Sequence, residues 1–304
     1  MKNKVTIKAP GKLMILGEHG VMYGYSCLAT TVNKYLTVEA SFSESGEDEI
    51  ITPHSSDQTF IKQTLAYFRQ EAERSNYFRI QTESEITGFG LGSSAATVVA
   101  MMKALNYLHQ IKISDQKLFE ICLQIILNVQ KKASGFDVAS CIYGGNIKFS
   151  GQSKKTEKIS SFPLPLSVIF TGVKADTKTM IDQVAETRKQ NPQKTDGIFK
   201  EIGRLVKGGQ QAILEKNWQD LGKLMNQNQI LLKELGVSTH GIDKLVDAAL
   251  KNGAYGAKLS GAGGGDCIIV LSNEGEKSGI EDALKKTGGQ IINLSTSVKG
   301  AKII

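Results

Sequence analysis

The chain is short of the features that mark secreted, membrane-spanning or metal-clustered proteins. Its four cysteines, Cys27, Cys122, Cys141 and Cys267, lie far apart, with no CxxC and no Cys/His metal spacing. Each sits among apolar residues, which predicts buried free thiols in a reducing compartment. The four histidines, His19, His54, His109 and His240, do not fall into a metal-site pattern. No apolar run approaches a membrane span, and Met1 to Lys8 alternates like a strand without an apolar signal core. The expectation is a soluble, cytoplasmic protein with no membrane partner. Repeats and low-complexity tracts are absent. The formal net charge is +7, but lysines are scattered and pair only briefly, as at Lys131-Lys132 and Lys154-Lys155. No aromatic-plus-basic motif accompanies them, so nucleic acid is not the expected partner. The surplus charge suits solubility, or attraction of an anionic substrate or nucleotide.

With 304 residues, 40% of them hydrophobic, the chain can bury a substantial core in two domains or one large one. Val5, Ile7 and Leu13 to Leu16 read as strands interrupted by Pro10-Gly11, and Tyr35 to Ser41 as a half-buried strand. Ser43 to Gln58 reads as a polar loop or hairpin tip. Phe60 to Ser75 has helical period, and Tyr77 to Thr82 is a strand. Ser114 opens a helix running through Leu118 to Val129. Asn146 to Phe149 is a short strand, and Gly151 to Ile159 a polar turn or linker. The domain boundary is placed there, giving 1–155 and 156–304. Further on, Pro165 to Gly172 is a strand, and Asp176 to Glu186 a helix followed by a break at Gln190 to Thr195. Helices follow over Gly197 to Glu215, Trp218 to Leu235 and Ile242 to Asn252. Strands at Ala257 to Leu259 and Cys267 to Leu271 flank a glycine loop. A helix over Glu276 to Lys286, a strand over Gln290 to Leu294 and a tail strand from Val298 complete the chain. Strands and helices mix without strict βαβ alternation, so the fold class is α+β.

One stretch organises the rest: Thr87-Gly-Phe-Gly-Leu-Gly-Ser-Ser-Ala-Ala-Thr97. Gly88, Gly90 and Gly92 alternate, Ser93 and Ser94 follow, and a helical run begins at Ala95. Glycines let backbone approach a ligand closely, and a helix N-terminus offers unpaired N–H groups and partial positive charge. Such a site suits phosphate. It is neither a P-loop, since no Gly-Lys-Ser/Thr closes it, nor a clean Rossmann fingerprint. A tight turn with a serine N-cap would give the same residues a purely structural role.

Two more segments accompany it: Lys8-Ala-Pro-Gly-Lys-Leu-Met-Ile-Leu-Gly-Glu-His-Gly-Val-Met-Tyr-Gly24, and Ala257-Lys-Leu-Ser-Gly-Ala-Gly-Gly-Gly-Asp-Cys267. In order and spacing the three resemble the motifs of the GHMP kinases, and the resemblance spans nearly the whole chain. Within that family the wording Pro10-Gly-Lys-Leu, Gly17-Glu-His and Tyr23-Gly24 resembles the mevalonate kinases. The fold this implies is two α+β domains, the first like ribosomal protein S5 and the second ferredoxin-like, with the active site between them. The activity it implies is transfer of the ATP γ-phosphoryl group to mevalonate, giving 5-phosphomevalonate, with Mg²⁺ as cofactor. A homodimer is the assembly it suggests.

The resemblance also assigns roles. Gly88, Gly90, Leu91, Gly92, Ser93, Ser94 and Ala95 would cradle the ATP phosphates, with Ser94 on Mg²⁺ or phosphate; capping the helix is its alternative. Gly261, Gly263 and Gly264 would pack against the nucleotide. Ser134-Gly-Phe-Asp137 matches the family's Ser-Gly-x-Asp, so Asp137 would orient or deprotonate the acceptor hydroxyl. Lys12 beside it would stabilise the attacking oxygen or the transferred group. Glu18, His19 and Thr177 would bind the acceptor, directly or through neighbours; a helix N-cap is the other role for Thr177. Met101 and Met102 fit a helix core as well as any adenine contact. Three places depart from the mevalonate kinase pattern: the usual His-Gly-x-Pro before Ser134 is replaced by Gln130-Lys-Lys-Ala133, and two single positions differ. The residue eleven before Asp137, usually a Mg²⁺-binding glutamate, is Ile126. Asp266 stands where glycine is common, and it, with the Gln130 to Gly144 segment, resembles phosphomevalonate kinases. 5-Phosphomevalonate as acceptor, and a non-catalytic metabolite binder on the same scaffold, therefore remain open at this point.

Overall fold

A computed structural model describes residues 4–53, 56–73 and 75–304. His54 and the first three residues lie outside the described residues. In chain order, the first half contains β1 (Lys4–Leu16), β2 (Ser26–Phe42), β3 (Glu49–Ile51), α1 (Thr59–Ala72), β4 (Phe78–Ser84), α2 (Ser93–Leu108), α3 (Asp115–Gln130), α4 (Phe136–Tyr143), β5 (Asn146–Ser150) and β6 (Thr156–Ser160). The second half contains β7 (Leu166–Phe170), α5 (Thr177–Gln190), α6 (Pro192–Leu214), α7 (Trp218–Glu234), α8 (His240–Lys251), β8 (Gly256–Ser260), β9 (Cys267–Leu271), α9 (Glu274–Lys286), β10 (Gln290–Ile292) and β11 (Lys302–Ile303).

Among the described residues the strands form two sheets. The larger runs β11-β1-β2-β4-β3, with β5 on the other end of β2 and β6 on β5; the smaller runs β10-β7-β9-β8. β1 is one strand rather than two. Pro10 and Gly11 sit at a register shift against β2, so the chain bends there without leaving the ladder. The Gly151 to Ile159 stretch is not merely a linker, because β6 pairs antiparallel with β5. The acidic stretch after Ser43 contains β3, which runs parallel to β4. The break before α6 is narrower than its polar residues suggest. Pro192 occupies the first turn of α6, where its missing N–H costs nothing.

α2 carries alanine, valine, methionine and leucine on nearly every face and is buried against β1 and β2. Met101 and Met102 belong to this core. The amphipathic helices α8 and α9 cover the smaller sheet, closing a second core around Ile242, Leu259 and Leu284. The C-terminal tail returns to the first sheet: Ser297 N–H donates to Thr31 O (2.7 Å), and β11 pairs with β1 through Ile7 and Ile303. Where the halves meet, the Ser260 hydroxyl on β8 both receives from Met14 N–H and donates to Met14 O, each at 3.0 Å. Tyr23 stacks on Phe199 with centroids 4.3 Å apart. These contacts hold β1 and its following turn against the second half, with a cleft between.

Candidate active site

The cleft has a volume of ≈ 340 Å³, within the range of small-molecule sites. Lys12 lies at its base, on β1, only 6% exposed. Its backbone N–H donates to Leu91 O (3.0 Å) and its ammonium to Gly90 O (3.1 Å), so it holds the glycine loop from two directions. The same ammonium stands 3.3 Å from Asp137 Oδ1, an ion pair rather than a hydrogen bond, and 5.1 Å from the Phe136 ring centre.

Asp137 is not on an open loop. The Ser134-Gly-Phe-Asp segment turns at Gly135 (φ +95°) straight into α4, and Asp137 sits in the first turn of that helix. Its N-cap residue, Gly135, has no side chain, and Ser134 Oγ receives only the Phe136 N–H (3.4 Å), so a carboxylate there is favoured by the remaining unpaired N–H groups.

Across from it, α2 begins after Gly92 (φ +86°), again without a side-chain cap. A Cβ at Gly92 would stand 2.9 Å from Lys12 Cε, so only glycine lets the loop close over the lysine. Ser93 and Ser94 therefore begin the helix without capping it, and both line the cleft with Gly88, Gly90, Leu91 and Ala95. The capping alternative for Ser94 is not what the structure contains. Thr177 also lines the cleft, and the cap of its helix is Asp176, which accepts from the N–H groups of Lys178 and Thr179.

Glu18 and His19 line the cleft but are committed within the protein. Glu18 is buried; Oε2 accepts from Asn228 Nδ2 (2.8 Å) and Oε1 is paired with Lys258, which is fully buried on β8. Burial pulls the Lys258 ammonium down from its ordinary value, and Glu18 pulls it back up. Any reach of Glu18 toward a bound molecule thus passes through its neighbours. His19 has φ +57° and leads a 3-10 turn, Gly20–Tyr23. Burial lowers its pKa to about 4, against a smaller opposing effect of its bond to Ala262. The ring is neutral near pH 7, and Nε2 carries the hydrogen because its partner, 2.9 Å away, is the Ala262 carbonyl. That contact ties the first motif to the third.

Of the three glycines expected at the nucleotide in the third loop, only Gly261 lines the cleft; Ala262 and Asp266 of the same loop line it as well. Gly263 and Gly264 do not. A Cβ on Gly263 would meet Val237 O at 2.3 Å, and one on Gly264 would meet Met180 Sδ at 2.8 Å. Close packing against the α7–α8 connection and α5 accounts for glycine at these two positions without a nucleotide.

Sequence reading missed several residues that join the halves here. Phe89, inside the glycine loop, meets Phe170 of β7 edge to face at 5.3 Å. Burial pushes the Cys267 thiol up to about 12, so it stays protonated, and it donates to Phe89 O (3.2 Å). Lys258 carried a signal: an internal lysine in an otherwise apolar strand needs a buried partner. Ile126 lines the cleft with an apolar side chain, so α3 contributes no carboxylate at that point.

Chemically, the cleft brings together a glycine loop at a helix N-terminus, a buried ammonium and a carboxylate beside it. This is a phosphate cradle with a candidate proton acceptor. Comparison with known proteins agrees. Residues 59–145 match the GHMP kinase N-terminal domain and residues 210–290 the GHMP kinase C-terminal domain. The mevalonate kinase of Thermococcus sibiricus is 33% identical, covering 99% of this chain and 98% of its own. The crystal structure of Methanococcus jannaschii mevalonate kinase superimposes with a TM-score of 0.83 at 26% identity, over 98% of this chain and 99% of that one. Streptococcus pneumoniae phosphomevalonate kinase gives the same TM-score, 0.83, at 20% identity over 99% of this chain and 100% of its own, a likeness of fold alone. With the two-domain α+β architecture and relatives matched from end to end, the chain belongs to the GHMP kinase family.

Proposed function

We propose that this protein is a mevalonate kinase, transferring the γ-phosphoryl group of ATP to the primary hydroxyl of mevalonate. The observation that carries the reading is the Lys12–Asp137 pair at the base of the cleft, held against the glycine loop by the Lys12–Gly90 hydrogen bond. End-to-end relatedness to mevalonate kinases supports the choice of acceptor.

In this reading the N–H groups of the loop and of the first turn of α2 receive the phosphates. Asp137 accepts the proton of the acceptor hydroxyl as its oxygen forms the new O–P bond. The bond between the γ-phosphorus and the ADP oxygen breaks, and ADP leaves with that electron pair. Lys12 stabilises charge on the attacking oxygen and the transferred group. The Lys12–Asp137 contact positions both groups before substrate arrives. Ser94 fits a divalent cation: its hydroxyl lines the cleft, caps no helix, and is a hard oxygen donor of the kind Mg²⁺ takes. Mg²⁺, when bound, neutralises phosphate charge.

Phosphorylation of 5-phosphomevalonate is the second reading, favoured by Asp266 in the third motif. ADP release with mevalonate, 5-phosphomevalonate, homoserine and galactose in separate reactions tests the choice. Turnover with mevalonate alone is expected; turnover with 5-phosphomevalonate alone would make Asp266 the better guide.

A further inference from the structure

Among the described residues three carboxylates line the cleft: Glu18, Asp137 and Asp266. Glu18 is neutralised by Lys258, and Asp137 stands against Lys12. Asp266 is left. Its Oδ1 accepts from Ala175 N–H (3.0 Å), while among the described residues Oδ2 accepts no hydrogen bond. That oxygen lies against the glycine loop, so close that a Cβ on Gly90 would be 2.3 Å from it. Of the lysines lining the cleft, Lys132 is paired with Asp182 and Lys174 lies at the exposed rim.

The carboxylate is fixed in place. Asp266 N–H donates to Val173 O (2.7 Å), Thr171 N–H donates to Asp266 O (2.8 Å), and the residue is held at φ +55°. Such a conformation is uncommon for a residue with a side chain, and aspartate is among those that tolerate it. A fixed anion beside a phosphate-receiving loop is repulsive. Like charges held close together in a partly desolvated cleft repel more strongly than they would in water. A divalent cation between them reverses the sign, and carboxylate and phosphate oxygens are the ligands Mg²⁺ prefers.

We propose that Asp266, through Oδ2, is a ligand of the divalent cation that accompanies the nucleotide, opposing metal-free nucleotide and favouring the metal complex. The proposal rests on the reading that ATP phosphates occupy the loop. It assigns a cation-binding role to the half of the chain that does not carry Ser94.

Asp266→Asn keeps an oxygen for Ala175 N–H and tolerates the left-handed backbone; Asp266→Gly tolerates it without strain. The experiment is ATP binding by calorimetry with excess Mg²⁺ and with EDTA, and Mn²⁺ binding in the presence of ADP by electron paramagnetic resonance, for wild type and both variants. The expected result is metal-free ATP binding as tight as wild type or tighter, with Mn²⁺ affinity and the gain from Mg²⁺ reduced about tenfold or more. An unchanged Mg²⁺ gain and Mn²⁺ affinity in both variants would overturn the assignment alone. Wild-type protein that binds no nucleotide under either condition would overturn the proposed function as well.

Discussion

Lys258 on β8 and Glu18 after β1 form an ion pair across the two halves with neither side chain exposed, and Asn228 completes the glutamate's shell. Two buried charges persist only when paired and hydrogen-bonded. Lys258→Met should therefore destabilise the protein by about 3–5 kcal/mol, by leaving Glu18 buried and unpaired. The double variant Glu18→Gln with Lys258→Met should recover part of that loss. Denaturation midpoints of the wild type, the single variant and the double variant check this. A double variant no more stable than Lys258→Met alone would show that packing, not charge, dominates.

Gly90 is constrained twice, by φ +70° and by the Asp266 carboxylate against its Cα. Gly90→Ala should strain the loop by about 1–3 kcal/mol and weaken ATP binding by about tenfold or more. Gly253 supplies the control. It has φ +94° in the turn after α8, an added Cβ would meet nothing within 4 Å, and it does not line the cleft. Gly253→Ala should cost stability while leaving ATP affinity as it was. Equal affinity losses in the two variants, by calorimetry, would contradict the role given to Gly90.

The two helix starts at the cleft predict opposite behaviour. Ser94 caps nothing, so Ser94→Ala should shift stability by less than about 0.5 kcal/mol while lowering turnover about 10–100-fold. Asp176 does cap α5, and Asp176→Ala should cost about 1 kcal/mol. Thermal melting beside steady-state kinetics separates the two. A strongly destabilised Ser94→Ala would restore the capping role.

His19 gives a pH signature. Its pKa falls from 6.5 to about 4 on folding. Between those values the unfolded chain binds more protons than the folded one, so the contribution to stability is complete above pH 6.5 and is lost as pH falls toward 4. The loss amounts to about 3 kcal/mol. His19→Asn, which tolerates the positive φ, should flatten melting temperature against pH across that window. An unchanged slope would place the pH dependence elsewhere.

Local signals were legible in the sequence where local physics decides the outcome. Ser114 does accept from Lys117 N–H at the start of α3, and the apolar periods locate α7 and α8 closely and the body of α6, whose first turn from Pro192 reads instead as a break. The phosphate-suited loop was readable from its glycine and hydroxyl spacing, and the family from the resemblance of the three motifs taken together. Long-range pairing was not. Pro10-Gly11 reads as a break because the bend is local, while the ladder to Tyr35 and Val32 that carries β1 through it is distant in sequence. β6 looks like a linker because Glu157 and Lys158 are exposed on an edge strand. Gly263 and Gly264 carry the same local signal as Gly261, and only their approach to Val237 and Met180 separates them. Asn228 gave no sign, since its partner lies 210 residues away.

The most direct test of the account is Asp137→Asn measured beside wild type with Mg-ATP and mevalonate, following turnover and ATP dissociation constant together. Removing the proton acceptor should lower kcat by about 10²–10⁴-fold and leave ATP affinity close to wild type. Wild-type turnover in Asp137→Asn would contradict the role of the Lys12–Asp137 pair on which the proposed function rests.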